Sequence, residues 1–294
     1  MIPASFEYIK PKNVFEAISA LNKLEGSKIL AGGHSLIPAM KLRLNQPSTL
    51  IDISRLSDLD FIRDRGKYFA IGAATTHGSI AAHKSVNAKM PLIASSAGRI
   101  GDLQVRNKGT IGGSIAHADP ASDWPAILIA ADATIKIANL EGDRTVPAAN
   151  FFTGFFTTAL AEGEIITEIH IPDPSSSATP NGWYANYEKF DQPASRFAIV
   201  GCAVNLQLAE NGDVEQAFVA FNGVSDYAYR AKAVEAALIG KQLTEEVVNA
   251  AAQAATEDAS MIMSDHYADE TYRKHLATVI CKRSIWNCLG RGGC

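Results

Sequence analysis

The chain has 294 residues, 47% of them apolar and 20% charged, with a formal net charge of −4. At roughly 100–200 residues per domain this is two domains or one large one, and the charge balance offers no broad basic field for nucleic acid. Apolar runs such as residues 124–135 fall far short of the roughly 20 residues of a spanning helix. No membrane segment or export signal is evident, and a cytoplasmic location is expected.

Residues 5–9 (SFEYI) read as a strand, and Asn13 can cap a helix with Val14, Ala17, Ile18, Leu21 and Leu24 on one face. A short buried strand at 28–30 runs into Ala31-Gly32-Gly33-His34-Ser35. Ser35 can cap the next helix, with Pro38 tolerated in a first turn whose N–H groups lack intrahelical partners. Residues 49–53 (TLIDI) return as a third strand. The resulting β-α-β-α-β order favours a small parallel sheet.

From 57 to 172 the pattern is mixed. Residues 68–75 read as a strand, Thr76 as the cap of a helix over 77–83, and 90–100 as helical. A second glycine loop follows at 109–114, then a buried helix over 123–132 and strands at 134–139 and 164–172. The Ser-, Pro- and Gly-rich stretch 173–182 is a linker candidate. Beyond it, 182–190, 197–209 and 214–224 read as strands, the last two joined by the hairpin signal ENGD at 210–213. Helical stretches begin near Arg230, Thr244 and Tyr267, which makes the C-terminal part α+β.

Cys202, Cys281, Cys288 and Cys294 form no C-x-x-C pair, and the seven histidines include no H-E-x-x-H. Cys281 and Cys288 lie seven apart on one helix face, as core residues do. No bound metal is expected.

Two glycine pairs, each leaving an apolar stretch, hold the chemistry: AGGHS at 31–35 and TIGGS at 110–114. Glycine reaches positive φ cheaply and lets a ligand approach backbone N–H groups, as a diphosphate requires. One such pair alone is readily a turn, and neither is the G-x-G-x-x-G fingerprint. With no Lys or Arg in either glycine core, phosphates there would rely on amides and on the hydroxyls of Ser35, Thr110 and Ser114.

The two motifs, in this order and spacing, resemble the FAD-binding signatures of the medium, flavin-carrying subunit of molybdenum hydroxylases. That family includes aerobic carbon monoxide dehydrogenase, xanthine dehydrogenase and bacterial N-heterocycle dehydrogenases. The resemblance spans essentially the whole chain, including SFEYIKPKNVFEAISAL at 5–21, LIPAMKLRL at 36–44 and QVRNKGTIGG at 104–113.

The resemblance implies an α+β fold with a two-subdomain FAD-binding domain of the PCMH type, the first subdomain carrying a small parallel sheet and helices. A C-terminal domain of a three-stranded antiparallel sheet and a three-helix bundle completes it. The units would be 1–56, 57–175 and 176–294. Leu30, Ala31, Gly32, Gly33, His34, Ser35, Leu36 and Ile37, together with Thr110, Ile111, Gly112, Gly113 and Ser114, would hold the FAD diphosphate and ribityl chain. Asp123 would meet the cofactor's polar middle, Ile100 and Ile166 would touch the cofactor, and Lys189 would sit beside the isoalloxazine, with Phe197 near it. The simpler roles are a helix N-cap for Asp123 and a solvated strand charge for Lys189.

Ser114 stands where the family commonly has Asn; one lost hydrogen bond there is worth about 0.5–1.5 kcal/mol. His34, His77 and His117 lie in or near the loops, but the resemblance implies a noncovalent flavin. FAD is the only cofactor expected on this chain. The implied partners are a small iron–sulfur subunit and a large molybdenum cofactor subunit, in a dimer of heterotrimers with no nucleic acid. A free-standing flavin oxidoreductase with its own substrate pocket and a non-catalytic flavin-binding protein are the alternatives.

Overall fold

A computed structural model describes residues 2–174 and 182–290. The first unit comprises β1 (Glu7–Ile9), α1 (Val14–Lys23), β2 (Ser27–Leu30), α2 (Leu36–Lys41) and β3 (Thr49–Asp52). β3 is central and parallel to both β1 and β2, as the β-α-β-α-β order requires. Asn13 Oδ1 accepts from the Glu16 N–H at 2.8 Å, so α1 begins where its cap residue stands. Its Ala17 and Ile18 bury against Ile51 and Ile53. Ser35 occupies the cap position of α2, but its hydroxyl makes no capping bond there.

The central unit follows with β4 (Ile62–Asp64), β5 (Tyr68–Gly72), α3 (His77–Ala82), α4 (Lys84–Lys89), α5 (Pro91–Arg99), α6 (Leu103–Arg106), α7 (Ile111–His117) and α8 (Asp123–Ala130). It continues through β6 (Thr134–Ala138), β7 (Asp143–Pro147), the short hairpin β8 (Phe152–Gly154) and β9 (Thr157–Thr158), and β10 (Ile165–Pro172). β4-β5-β10-β6-β7 form an antiparallel sheet. Thr76 caps α3 as expected, accepting from Ser79 N–H at 3.1 Å.

The second glycine pair lies in a helix rather than in the expected loop. Two glycines cost a helix roughly 1 kcal/mol each relative to alanine, yet two tertiary features outweigh that. Thr110 Oγ1 caps α7 by accepting from Gly113 N–H at 3.1 Å. Gly112 N–H donates to the Ala73 carbonyl at 2.9 Å, and a Cβ on Gly112 would lie 2.5 Å from Ala73 Cβ. Gly112 therefore serves close helix packing, and positive φ is not its function.

Beyond the linker candidate, most of which falls outside the described residues, come β11 (Trp183–Asp191), β12 (Ala198–Leu208), β13 (Val214–Asn222) and β14 (Tyr229–Arg230). α9 (Lys232–Leu238), α10 (Glu245–Gln253) and α11 (Glu270–Cys288) complete the chain. The sheet is antiparallel in the order β11-β12-β13-β14, one short strand more than the sequence pattern suggests. β14 has only two residues, too few to show an alternation. Cys202 and Cys281 are free thiols buried in this core and Cys288 is partly buried; Cys294 lies outside the described residues. Among the described residues no helix is long and apolar enough to cross a membrane.

The C-terminal sheet is tied to the central unit by backbone bonds. Gly223 N–H donates to the Pro120 carbonyl at 2.7 Å and Ala198 N–H to the Ala121 carbonyl at 3.2 Å. The buried Arg273 guanidinium donates through one nitrogen to the Ile199 and Gly223 carbonyls, which fixes the ends of β12 and β13.

Every residue of α8 is buried, and its Trp124 indole N–H donates to His77 Nδ1 at 3.0 Å. Burial, with His34 and Arg106 adding to it, lowers the His77 pKa from 6.5 to about 4. Between those values the unfolded chain binds a proton that the folded chain refuses. Stability is therefore intact above pH 6.5 and falls as the pH drops through this window, by about 3 kcal/mol from this one group. Urea unfolding of the flavin-free chain at pH 7.5 and 4.5 should show that loss, and His77→Gln should remove most of it.

Candidate functional site

A cavity of about 1090 Å³ opens where the parallel sheet unit, α7, the start of α8 and the hairpin loop between β11 and β12 meet. Small-molecule and cofactor sites commonly hold about 300–1,000 Å³, so a large, extended ligand suits it. Both glycine segments face it. Residues 30–36, Ile100, Thr110, Gly112, Gly113, Ser114, Asp123 and Ile166 line its wall. Ile37, Ile111 and Lys189 do not.

The two segments meet through their backbones. A Cβ on Gly32 would lie 2.1 Å from the Lys108 carbonyl oxygen and 2.9 Å from Gly109 Cα, so no side chain fits there. Gly33 has φ +74°, a conformation that favours glycine. Ile37 N–H donates to the Gly33 carbonyl and holds that turn from behind. Ile111 is fully buried beneath the cavity wall, with its N–H on the Thr75 carbonyl at 3.1 Å. These two residues support the wall without lining it.

Asp123 is the first residue of α8; Ser122 occupies the cap position, so the N-cap role suggested for Asp123 is not what the fold uses. Its carboxylate accepts from Lys189 Nζ at 2.8 Å and from the Tyr187 hydroxyl at 2.6 Å. Burial pushes the Asp123 carboxyl up, while the Lys189 ammonium and the Tyr187 hydroxyl pull it back. Burial also pushes the Tyr187 phenol well above its ordinary value, which keeps it a donor.

Lys189 is 6% exposed, so it is not a solvated strand charge. Its ammonium also donates to the Arg196 carbonyl at 2.6 Å. Lys189 thus reaches the cavity only through Asp123 and Arg196, both of which line it. Arg196 has φ +60° and precedes Phe197, which is 45% exposed on the cavity wall.

Ser114 Oγ lies 2.7 Å from Ser122 Oγ, and both face the cavity. The serine at this position is therefore engaged in the wall. Residues 21–29 and 160–163 close the far end, and their turns at Gly26 and Gly163, φ +70° and +78°, were the only local signal of it. His77, His117, Val105 and Ser122 also line the cavity. His77 and His117 stand out in the sequence for their nearness to the glycine segments, but only tertiary packing shows that they, Val105 and Ser122 share this wall.

The chain matches the family described as FAD binding domain in molybdopterin dehydrogenase over residues 4–174, and the CO dehydrogenase flavoprotein C-terminal domain over 185–287. It is 41% identical over 286 residues to the carbon monoxide dehydrogenase medium chain of Hydrogenophaga pseudoflava, covering 97% of each. It is 36% identical to the glyceraldehyde dehydrogenase medium chain of Sulfolobus acidocaldarius, covering 97% of this chain and 99% of that one. Its fold superimposes with a TM-score of 0.94 on a chain of the Hydrogenophaga pseudoflava carbon monoxide dehydrogenase that lacks the Mo-pyranopterin moiety, at 42% identity and full coverage of both. Together with the convergence of both glycine segments on one cavity, these matches show that the chain belongs to the FAD-binding medium subunits of the molybdenum hydroxylase family, which are oxidoreductase flavoproteins.

Proposed function

We propose that this chain is the electron-transfer subunit of a heterotrimeric molybdenum-containing dehydrogenase. Its partners in that reading are a small iron–sulfur subunit and a large molybdenum cofactor subunit, paired as a dimer of heterotrimers. When bound, FAD would supply the redox chemistry, and in this reading the chain would hold it between the partner's iron–sulfur clusters and an external acceptor. The observation that carries the reading is the cavity on which two glycine segments converge without a side chain between them.

Within that reading, residues 30–37 and 110–114 hold the diphosphate and ribityl chain. The N–H groups of Ile111, Gly112, Gly113 and Ser114 are already bound within the protein, so the second segment offers its hydroxyls and its bare backbone surface. Gly32 and Gly33 leave the approach open, and a Cβ on either would fill or strain it. Ile100 and Ile166 give apolar contact, and Asp123 presents a fixed acceptor to the polar middle of the cofactor. Lys189 holds that carboxylate charged and fastens the loop that carries Phe197, rather than lying against the flavin ring. We also read the chain as units 1–56, 57–175 and 176–294. The three apolar clusters follow this division in part, with Leu59, Ala74, Ala138 and Ile165 of the second unit packing with the first, and Tyr187, Ala203, Ala220 and Ala228 of the third with the second.

Purified from its native host, the chain should carry about one FAD and co-elute with two other chains, iron and molybdenum. Elution alone with its own dehydrogenase activity would instead identify a free-standing enzyme. Acid precipitation should release the flavin into the supernatant; yellow colour left in the pellet would mean a covalent link.

Gly33→Val should lose FAD while keeping most of its helical signal, because the strain is confined to one turn. Gly112→Val should lose both FAD and stability, because the new side chain strikes Ala73 and displaces α7. Circular dichroism melting and flavin content of the two variants separate these outcomes.

Lys189→Met leaves the Asp123 carboxylate buried without its cation, a change that costs about 3–5 kcal/mol. Urea unfolding should register that loss. An unchanged midpoint would show that the ion pair does not hold the wall.

A further inference from the structure

We infer that His77 is a ligand-binding residue of this cavity, its Nε2–H donating to a diphosphate oxygen of the bound dinucleotide. This inference rests on the FAD reading and adds a residue to it. His77 begins α3, and its backbone N–H is fixed on the Gly109 carbonyl at 3.0 Å. The ring is almost wholly enclosed, with 4% of the residue exposed, and that remainder forms part of the cavity wall.

The tautomer is set by its neighbour. The indole of Trp124 can only donate, and it donates to His77 Nδ1. Nδ1 is therefore the bare nitrogen, and Nε2 carries the proton. Among the described residues no protein group accepts from that proton, yet Nε2 is not sealed away in the core. His77 lines the cavity together with Gly109, whose backbone Nε2 faces. Support for Trp124 needs only Nδ1, so the second nitrogen is a donor with no partner among the described residues.

Its place indicates what it meets. A Cβ on Gly109 would lie 2.8 Å from Nε2, so only glycine at 109 leaves the ring this position. Gly109 is also the residue against which Gly32 packs, so Nε2 stands where the two glycine segments meet. His34 and Arg106 are close enough to oppose a positive charge on the ring. A group that completes this corner must accept hydrogen bonds, and an anion suits the neighbouring bases best. Because the ring itself stays neutral, it donates without the cost of burying a second charge.

The test uses the full chain, titrated calorimetrically with FAD, and the variants His77→Leu and His77→Gln. Glutamine can still accept from the Trp124 indole and still offer an N–H. Leucine should weaken FAD binding about tenfold, as loss of one hydrogen bond to an anion would, and glutamine should restore it to within about threefold of the wild type. In the wild-type chain labelled with ¹⁵N-histidine, the Nε2–H proton should move downfield and exchange more slowly when FAD is added. The ³¹P lines of bound FAD should differ between the wild type and His77→Leu.

A His77→Leu affinity within about twofold of the wild type overturns the inference, since that is less than one hydrogen bond. So does an Nε2 resonance unmoved by saturating FAD. Weakening in His77→Leu that glutamine restores, but with unchanged ³¹P lines and an unmoved Nε2 resonance, would make His77 a support for Trp124 only, because glutamine keeps that acceptor. If His77→Leu does not fold, the glutamine variant and the wild-type ¹⁵N signal still decide. A wild-type chain that takes up no FAD overturns the FAD reading itself and is seen before any variant is compared.

Discussion

The contact between Gly32 and the Lys108–Gly109 backbone is the constraint on which the site depends. Two segments some 80 residues apart approach this closely because Gly32 has no Cβ to strike the Lys108 carbonyl. Once they touch, the end of β2 and the start of α7 must share one wall. α7 is then held from the other side, where Gly112 sits against Ala73 at the end of β5. Small residues are spent here on distance between backbones. Flexibility is a minor part of their use: Gly32, Gly109 and Gly112 all lack a left-handed φ, and only Gly33, next to the first contact in sequence, has one.

A second device joins the C-terminal sheet to that wall. Asp123, Lys189, Tyr187 and Asn222 form a buried chain of charge and hydrogen bonds, in which the Tyr187 hydroxyl lies 2.6 Å from Asp123 and 3.2 Å from Asn222. Burying such a pair brings little net stability over an apolar packing, but a broken pair is strongly unfavourable, so the arrangement tolerates only one relative placement of its members. The same lysine also holds the Arg196 carbonyl at a residue with left-handed backbone, a conformation that non-glycine residues avoid. Position and charge are thus specified by one side chain.

Much of this was readable from local pattern. Asn13 and Thr76 cap the helices they precede, the parallel sheet follows from its β-α-β-α-β order, and the long strands of the C-terminal sheet alternate with turn residues. The errors arise where tertiary contact overrides propensity. Two adjacent glycines read as a loop, yet Thr110 and Ala73 make them the first turn of a helix. Ser35 has the right residue type for a cap but a backbone in the helical region, and it faces the cavity instead. Lys189 could be read as solvated or as touching the ligand, because sequence shows neither its carboxylate partner 66 positions away nor its burial. His77 illustrates the same limit, since its meaning comes from Trp124 and Gly109, which are remote in sequence.

The walls of the cavity are drawn from separate apolar clusters: Ile53 and Ile165 belong to one, Ala73 and Ile166 to another. A ligand seated between them bridges units that otherwise meet through few groups, so its binding free energy enters the folding equilibrium directly. At a free cofactor concentration a hundredfold above Kd the gain is about 2.7 kcal/mol, a large share of what keeps an ordinary domain folded. Such a chain is held at its working level in the cell by the supply of its cofactor as well as by its own synthesis. When that supply falls, the unliganded fraction opens more often and is handed to proteases. Flavin supply would then set how much of the protein survives, quite apart from how fast any loaded molecule turns over.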